Sequence, residues 1–361
     1  MEDSKKEKYI GDIIGNSGKI EAQLKKEKKV YGIVSEILAI LEENNIVRHR
    51  MEIGLQLRQA MLLNGMLFNS EAWHSLSSNE IKILESVDEH LLRGLVRGHS
   101  KTTLEFLYLE AGAVPICFLI SSRRMVYLKT ILNRNDEELT KRIYNQQKLD
   151  PTSGDFYLLV KEDFNSINEV LDENEIKKVN AKVHKDTIKK KVKLAAFNYL
   201  TEIQQSHSKV KDILYENLAV QKCMVSPLFD NDEVNTLHAL RSRMIDCKAN
   251  FKQKFLNENL LCQLCGQHPD EQKEMLKCKA IRKEIDTEEI ALTKMEYEDI
   301  FGDETKQKPI AAMFKKILKV RKQLLDELLN QNQDPSTPSV LETRRYLLDC
   351  IDNVSSGNLS K

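Results

Sequence analysis

Apolar side chains recur at steps of three and four along most of this chain, the period of a helix with one face turned to a core. From Ile20 onward Val30, Val34, Ile37 and Leu41 form one stripe, with Lys25 to Lys29 on the wet side. Leu55, Leu62, Met66 and Trp73 form a second, and Leu84, Val87, Leu91 and Leu95 a third that Ser77, Ser78 or Asn79 can cap. Three such faces predict a bundle. Thr102 and Thr103 can open a short helix to Glu110, Ala111-Gly112-Ala113-Val114-Pro115 breaks it, and another helix follows through Ile131. Late in the chain Ile310, Met313, Ile317, Val320, Leu324 and Leu328 repeat the spacing. The exception opens the sequence: Tyr9 to Gly15 is short, rich in isoleucine and closed by Asn16-Ser17-Gly18, which predicts a strand stub.

Polar punctuation then divides the pattern. Asn133 to Asp155 is polar and holds Pro151 and Gly154, and Gln331 to Ser339 has linker composition. The expectation is a mainly α protein: a strand stub over 1–16, a helical bundle over 17–135, a second helical unit over 136–258, a cysteine-bearing turn over 259–282, C-terminal helices over 283–332 and a flexible tail over 333–361. No internal repeat emerges at any period.

Composition supports folding. The 361 residues are 41 % hydrophobic and 30 % charged, whereas disorder needs low hydrophobicity with a large net charge. Lys plus Arg and Asp plus Glu each total 55, so no global field draws the chain to nucleic acid or membrane, and a charged partner must be argued from local patches. Seven cysteines are an odd count, and no N-terminal stretch has the apolar core of a signal peptide, which predicts reduced thiols in cytoplasm or nucleus. No apolar run approaches the roughly 20 residues of a membrane span, so no membrane partner is expected.

The sharpest local signal is Cys262-Gln263-Leu264-Cys265, with Cys278 thirteen residues further on. Two thiolates across a two-residue turn chelate one side of a tetrahedral zinc, and a third soft ligand from the following segment closes on it. The fourth ligand is His268, a nitrogen close to the turn, or Glu274, one helical turn before Cys278, with nitrogen beside thiolates favouring His268. The plainer alternative is a turn with reduced thiols and no metal.

Two basic stretches are candidates for phosphate contact. Lys182, Lys185, Lys189, Lys190, Lys191 and Lys193 crowd one predicted helix with His184 and, downstream, Phe197 and Tyr199; such a face gives salt-dependent, sequence-blind affinity, or merely solvates a helix. Arg241, Arg243, Lys248, Lys252 and Lys254 interleave with Phe251 and Phe255 just before the cysteine turn, where guanidinium groups can fork onto phosphates and rings can stack on unpaired bases; the alternative is core phenylalanine with surface charge. The remaining histidines, 49, 74, 90, 99, 207 and 238, show no metal spacing. No Gly-rich phosphate loop, nucleophile elbow or paired-carboxylate motif indicates catalysis or a small-molecule substrate.

Several phrases resemble, in order, the C-terminal part of non-LTR (LINE-type) retrotransposon reverse transcriptases. They are Tyr9-Ile10-Gly11-Asp12-Ile13-Ile14 with Gly18-Lys19, Asn69-Ser70-Glu71-Ala72-Trp73, Val87 to Arg93, Leu107 to Glu110, and Leu240-Arg241-Ser242-Arg243-Met244 with Asn250-Phe251-Lys252. The resemblance implies that the first phrase closes a polymerase palm, that 17–135 is thumb-like, that 136–258 is a helical linker and that a Cys-Cys-His-Cys knuckle follows the arginine-rich phrase. Cys262, Cys265 and Cys278 match its ligand positions, but the family's His falls at Glu274. The family's catalytic aspartates, which hold two magnesium ions, lie upstream of these phrases, and no Asp-Asp pair in a strand-turn context replaces them here. What is implied is a non-catalytic fragment of a retroelement polyprotein that holds template RNA or an RNA–DNA hybrid, with other parts of that polyprotein as partners. The rival expectation is a helical protein–protein interaction module.

Overall fold

Helix is the dominant element, as the three-and-four spacing predicts, in a computed structural model that describes residues 6–9, 12–15, 27–43, 50–254, 259–285 and 296–331. The chain opens with an antiparallel pair of short strands, Lys6–Tyr9 and Asp12–Gly15, with Lys6 opposite Gly15 and Tyr9 opposite Asp12. Lys25, Lys26, Phe255, the Lys252 and Lys254 side chains and the expected tail at 333–361 lie outside the described residues. Among those described, no single helix is long and apolar enough to cross a membrane.

The chain divides into two units, and the expected border near 133–155 is not the division. The first unit comprises 1–92, 108–203 and 215–220. Met125, Leu128, Ile131 and Leu132 before the polar stretch share one core with Tyr144, Val160, Phe164, Ile188 and Val192 after it. Apolar faces on both sides of the linker-like segment had a common surface to bury, and that outweighed its composition. The helix Ser78–Val96 starts as its sequence suggests, the Ser77 backbone N–H donating to Glu80 Oε2 at 2.8 Å while Glu80 N–H donates to Ser77 Oγ at 3.3 Å. Leu84, Val87, Leu91 and Leu95 are all buried on it.

The second predicted stripe is corrected. Arg50–Leu57 continues through a π-helical turn, Arg58–Leu63, and ends with Asn64–Met66, so Trp73 is buried from an extended residue after the short turn Ser70–Ala72. Asn69, in the left-handed region at φ 56°, makes that break. Arg58, polar in sequence, sits on the buried face because its guanidinium forks onto Asp88 at 2.6 Å through both Nε and Nη2, and Tyr108 Oη donates to the same carboxylate at 2.9 Å. Gly112 is required where it stands: at φ +60° an added Cβ would lie 2.2 Å from the Ala219 carbonyl carbon.

The second unit comprises 93–107, 204–214 and 221–361. Its helix Asn231–Arg241 opens on a capping box between Asp230 and Glu233 and packs on the long helix Glu304–Gln331. Leu237, Leu240, Ile300, Ile310, Phe314 and Ile317 close the core between them, and Lys315 pairs with Asp230 at 2.9 Å on the rim. This framework carries the cysteine turn.

Candidate metal centre and basic helix face

Cys262 to Asp270 forms a tight hairpin. Leu261 bridges Pro269, Cys262 N–H donates to the His268 carbonyl at 2.7 Å, and Asp270 N–H donates to the Leu260 carbonyl at 2.7 Å. Gly266 N–H returns to the Cys262 carbonyl at 2.8 Å, and Gly266 takes φ +63°, which closes the turn. Opposed residues of an antiparallel pair project to one face. Leu261 and Pro269 are exposed on one side of the hairpin, while Cys262 and Asp270 are buried on the other. The 3-10 turn Gln272–Lys277 and the helix Lys279–Glu284 then bring Cys278 back to the same side.

The three sulfurs of Cys262, Cys265 and Cys278 lie within 4.8 Å of one another, Cys262 and Cys278 at 3.8 Å, in a set that could hold a metal ion. Their protonation is unequal. Burial pushes the Cys278 thiol up to about 11, against the Ile281 N–H, with Cys262 adding to the rise. Burial also opposes a thiolate at Cys265, but the Gln267 and His268 backbone N–H groups and the two neighbouring thiols outweigh it and hold that thiol below its ordinary range. A divalent cation would displace the proton that Cys278 otherwise keeps at neutral pH.

Neither expected fourth ligand joins the set. His268 contributes its backbone to the hairpin and its ring is outside the cluster, while the Glu274 carboxylate pairs with Lys277 at 2.9 Å. What stands beside the cysteines instead is an ion pair: Arg321, from the long helix, donates through Nη2 to Asp270 Oδ2 at 3.1 Å and stands 2.9 Å from Oδ1, and Oδ2 also accepts the Lys248 N–H at 2.9 Å. Nothing in the spacing of the sequence announced Arg321; an arginine on the apolar stripe of a predicted helix, one residue after Val320, was the available signal.

The two basic stretches are disposed differently. On the helix Ala181–Ser206, Lys182, Lys185, Lys189, Lys190 and Lys193 are exposed, and none makes a side-chain ion pair or hydrogen bond among the described residues. Lys182, Lys185, Lys189 and Lys193 step by three, four and four, so they share a face over about 16 Å. Lys191 is turned away to Glu169 at 2.5 Å, and His184 is buried with Nε2 3.1 Å from the Met125 carbonyl, burial lowering its pKa.

The arginine-rich stretch is not a free clamp. Arg241 is buried with Nη1 3.3 Å from the Ile300 carbonyl, and Arg243 pairs with Asp212 at 2.9 Å. Lys248 Nζ donates to the Asn259 carbonyl at 3.0 Å. Phe251 is buried, its ring against His99 and under the Lys209 ammonium at 5.1 Å. These groups hold the unit together; of that cluster the Lys252 and Lys254 side chains and Phe255 lie outside the described residues. His238 likewise is buried against Phe106.

In comparisons with known proteins, no family model, no curated protein and no solved structure matches this chain.

Proposed function

We propose that this protein is a non-catalytic nucleic-acid-binding module that holds the phosphates of template RNA or an RNA–DNA hybrid, as the C-terminal part of a retrotransposon reverse transcriptase polyprotein would. The observation that carries it is the face of Lys182, Lys185, Lys189, Lys190 and Lys193, exposed and with no carboxylate engaged among the described residues. Five ammonium groups held unpaired on one helix repel one another, and an ordered row of phosphates relieves that repulsion by releasing its own counterions. The order of the phrases resembling the retroelement enzymes supports the same reading, and the three-thiol cluster stands where that family has its knuckle.

The metal is zinc. Two zinc–sulfur bonds of about 2.3 Å at a tetrahedral angle place their sulfurs about 3.8 Å apart, and Cys262 and Cys278 stand 3.8 Å apart. Its role is structural, tying the hairpin to the segment that follows.

Binding of single-stranded RNA and of an RNA–DNA duplex, measured by anisotropy from about 50 mM salt upward, tests the proposal. Affinity should fall linearly in log–log form; undetectable binding at the lowest salt sinks it. Nucleotide incorporation on a primed template would equally overturn the non-catalytic part. The second reading, a helical protein-interaction module, has one observation in its favour: Leu139 and Ile143, 70 % and 49 % exposed and four apart on the helix Leu139–Leu149.

A further inference from the structure

The long helix Glu304–Gln331 buries one arginine, Arg321, at 4 % exposure, and only part of that guanidinium is used. Nη2 donates to Asp270 Oδ2 at 3.1 Å and stands 2.9 Å from Oδ1, while among the described residues neither Oδ1 nor the fully buried Nη1 has a hydrogen-bond partner. A buried N–H of a charged group without an acceptor costs more than an ordinary hydrogen bond is worth. Asp270 is directly opposite Leu260 across the hairpin, on the face that also carries Cys262 two residues on, so its partner Arg321 is brought to the thiol side of the turn. Burial opposes the charge on Arg321, but Asp270, then Cys262, Asp246 and Cys247 outweigh it and hold it firmly protonated.

Three thiolates around one divalent cation leave a net charge of −1 in a buried place, and the Asp270–Arg321 pair is neutral by itself. Buried anions need a compensating donor. We infer that Arg321 is the positioning residue of the thiolate cluster, its free Nη1–H donating to the Cys262 sulfur when that sulfur carries a metal ion. The inference rests on the metal reading of the three cysteines. It gives the long C-terminal helix a defined task, fixing the hairpin through Asp270 and setting the basicity of one sulfur ligand through the other arm of the same fork.

The test uses the full chain loaded with cobalt(II) as a spectroscopic probe, with zinc affinity measured by competition against a chromophoric chelator. Arg321→Met removes charge and donor. We expect zinc affinity to fall by about 10- to 100-fold, the sulfur-to-cobalt charge-transfer band to move to lower energy as the thiolate loses its hydrogen bond, and metal uptake to require higher pH. Arg321→Lys keeps the charge but cannot serve Asp270 and a sulfur together, so it should restore part of the affinity and leave the band shifted; it also provides the comparison if Arg321→Met does not fold. A merely structural role would change thermal stability but leave band energy and uptake pH alone. Variants that fold and match wild type in affinity, band and pH overturn the inference while the metal reading stands. A wild type that takes up neither cobalt nor zinc under reducing conditions overturns both.

Discussion

The stretches 182–193 and 241–252 look alike as strings of letters, each a run of basic residues near aromatic ones. In the first, five lysines face solvent and make no side-chain ion pair or hydrogen bond among the described residues. In the second, Arg241 reaches the Ile300 carbonyl, Arg243 an aspartate and Lys248 the Asn259 carbonyl, while Phe251 is packed away. The difference follows from what each is attached to. A long amphipathic helix has only one buried face, and the lysines occupy the other. The second stretch instead winds through 3-10 turns beside the cysteine hairpin, where backbone carbonyls outside regular helix accept from long basic side chains, Asn259 from Lys248 and Asn250 from Lys209. Charge density in sequence therefore says little about charge that is free to bind.

The largest test of this contrast is removal of a sulfur. Cys278→Ala should abolish stoichiometric zinc uptake by elemental analysis and lower the melting temperature through the second unit, since metal affinity at such a site is folding free energy; the 182–193 helix should keep its hydrogen-exchange protection. Uniform loss across both stretches would erase the distinction. Next, Arg241→Ala empties the space of a buried side chain and removes one of the two donors, the other being Gln307 Nε2, to the Ile300 carbonyl, and should cost about 3 kcal/mol in denaturant unfolding, whereas Lys189→Ala should stay within about 0.5 kcal/mol. Similar costs at the two positions would show that the stretches are used alike after all.

A smaller effect comes from Asp246. Burial pushes its carboxyl up to about 6, the buried Asp270 adding to the rise and Arg321 opposing it. The folded state thus holds this proton where the unfolded chain has already released it, so its contribution is lost as pH rises from about 4 to about 6 and stays lost above. Asp246→Asn should stabilise the protein at pH 7.5 by about 1 to 2 kcal/mol, discounted for the solvent that reaches the group, and the gain should vanish near pH 4. A gain independent of pH would mean that the carboxyl titrates normally. The smallest change is in binding alone: Lys189→Ala with Lys193→Ala should flatten the salt dependence of RNA affinity by about two units of log–log slope with no shift in melting temperature. An unchanged slope would leave the exposed lysines without the role proposed for them.

The cysteine turn was legible because its signal is local. Cys262-x2-Cys265 with Gly266 needs a left-handed residue and a short return, and the chain supplies both within five positions. Its fourth ligand was not: His268 is opposite Cys262 in the hairpin yet its ring nitrogens are outside the thiol set, and the Glu274 carboxylate is held by Lys277. The Asn69 to Trp73 phrase reads as a continuing helix for a similar reason: spacing shows which residues want burial, and a break that keeps Trp73 buried satisfies the same spacing.

By itself the sequence determined the helical class, a capped start within Ser77 to Asn79, the stripe from Leu84 to Leu95 and the grouping of three cysteines, all consequences of interactions within a few residues. Tertiary structure alone decided that Arg58 belongs to the core with Asp88 and Tyr108, that one core closes across 133–155, and that Arg321 meets the hairpin from 51 residues beyond Asp270. Each of those depends on a partner distant along the chain, and burial makes a charge welcome only where such a partner is waiting.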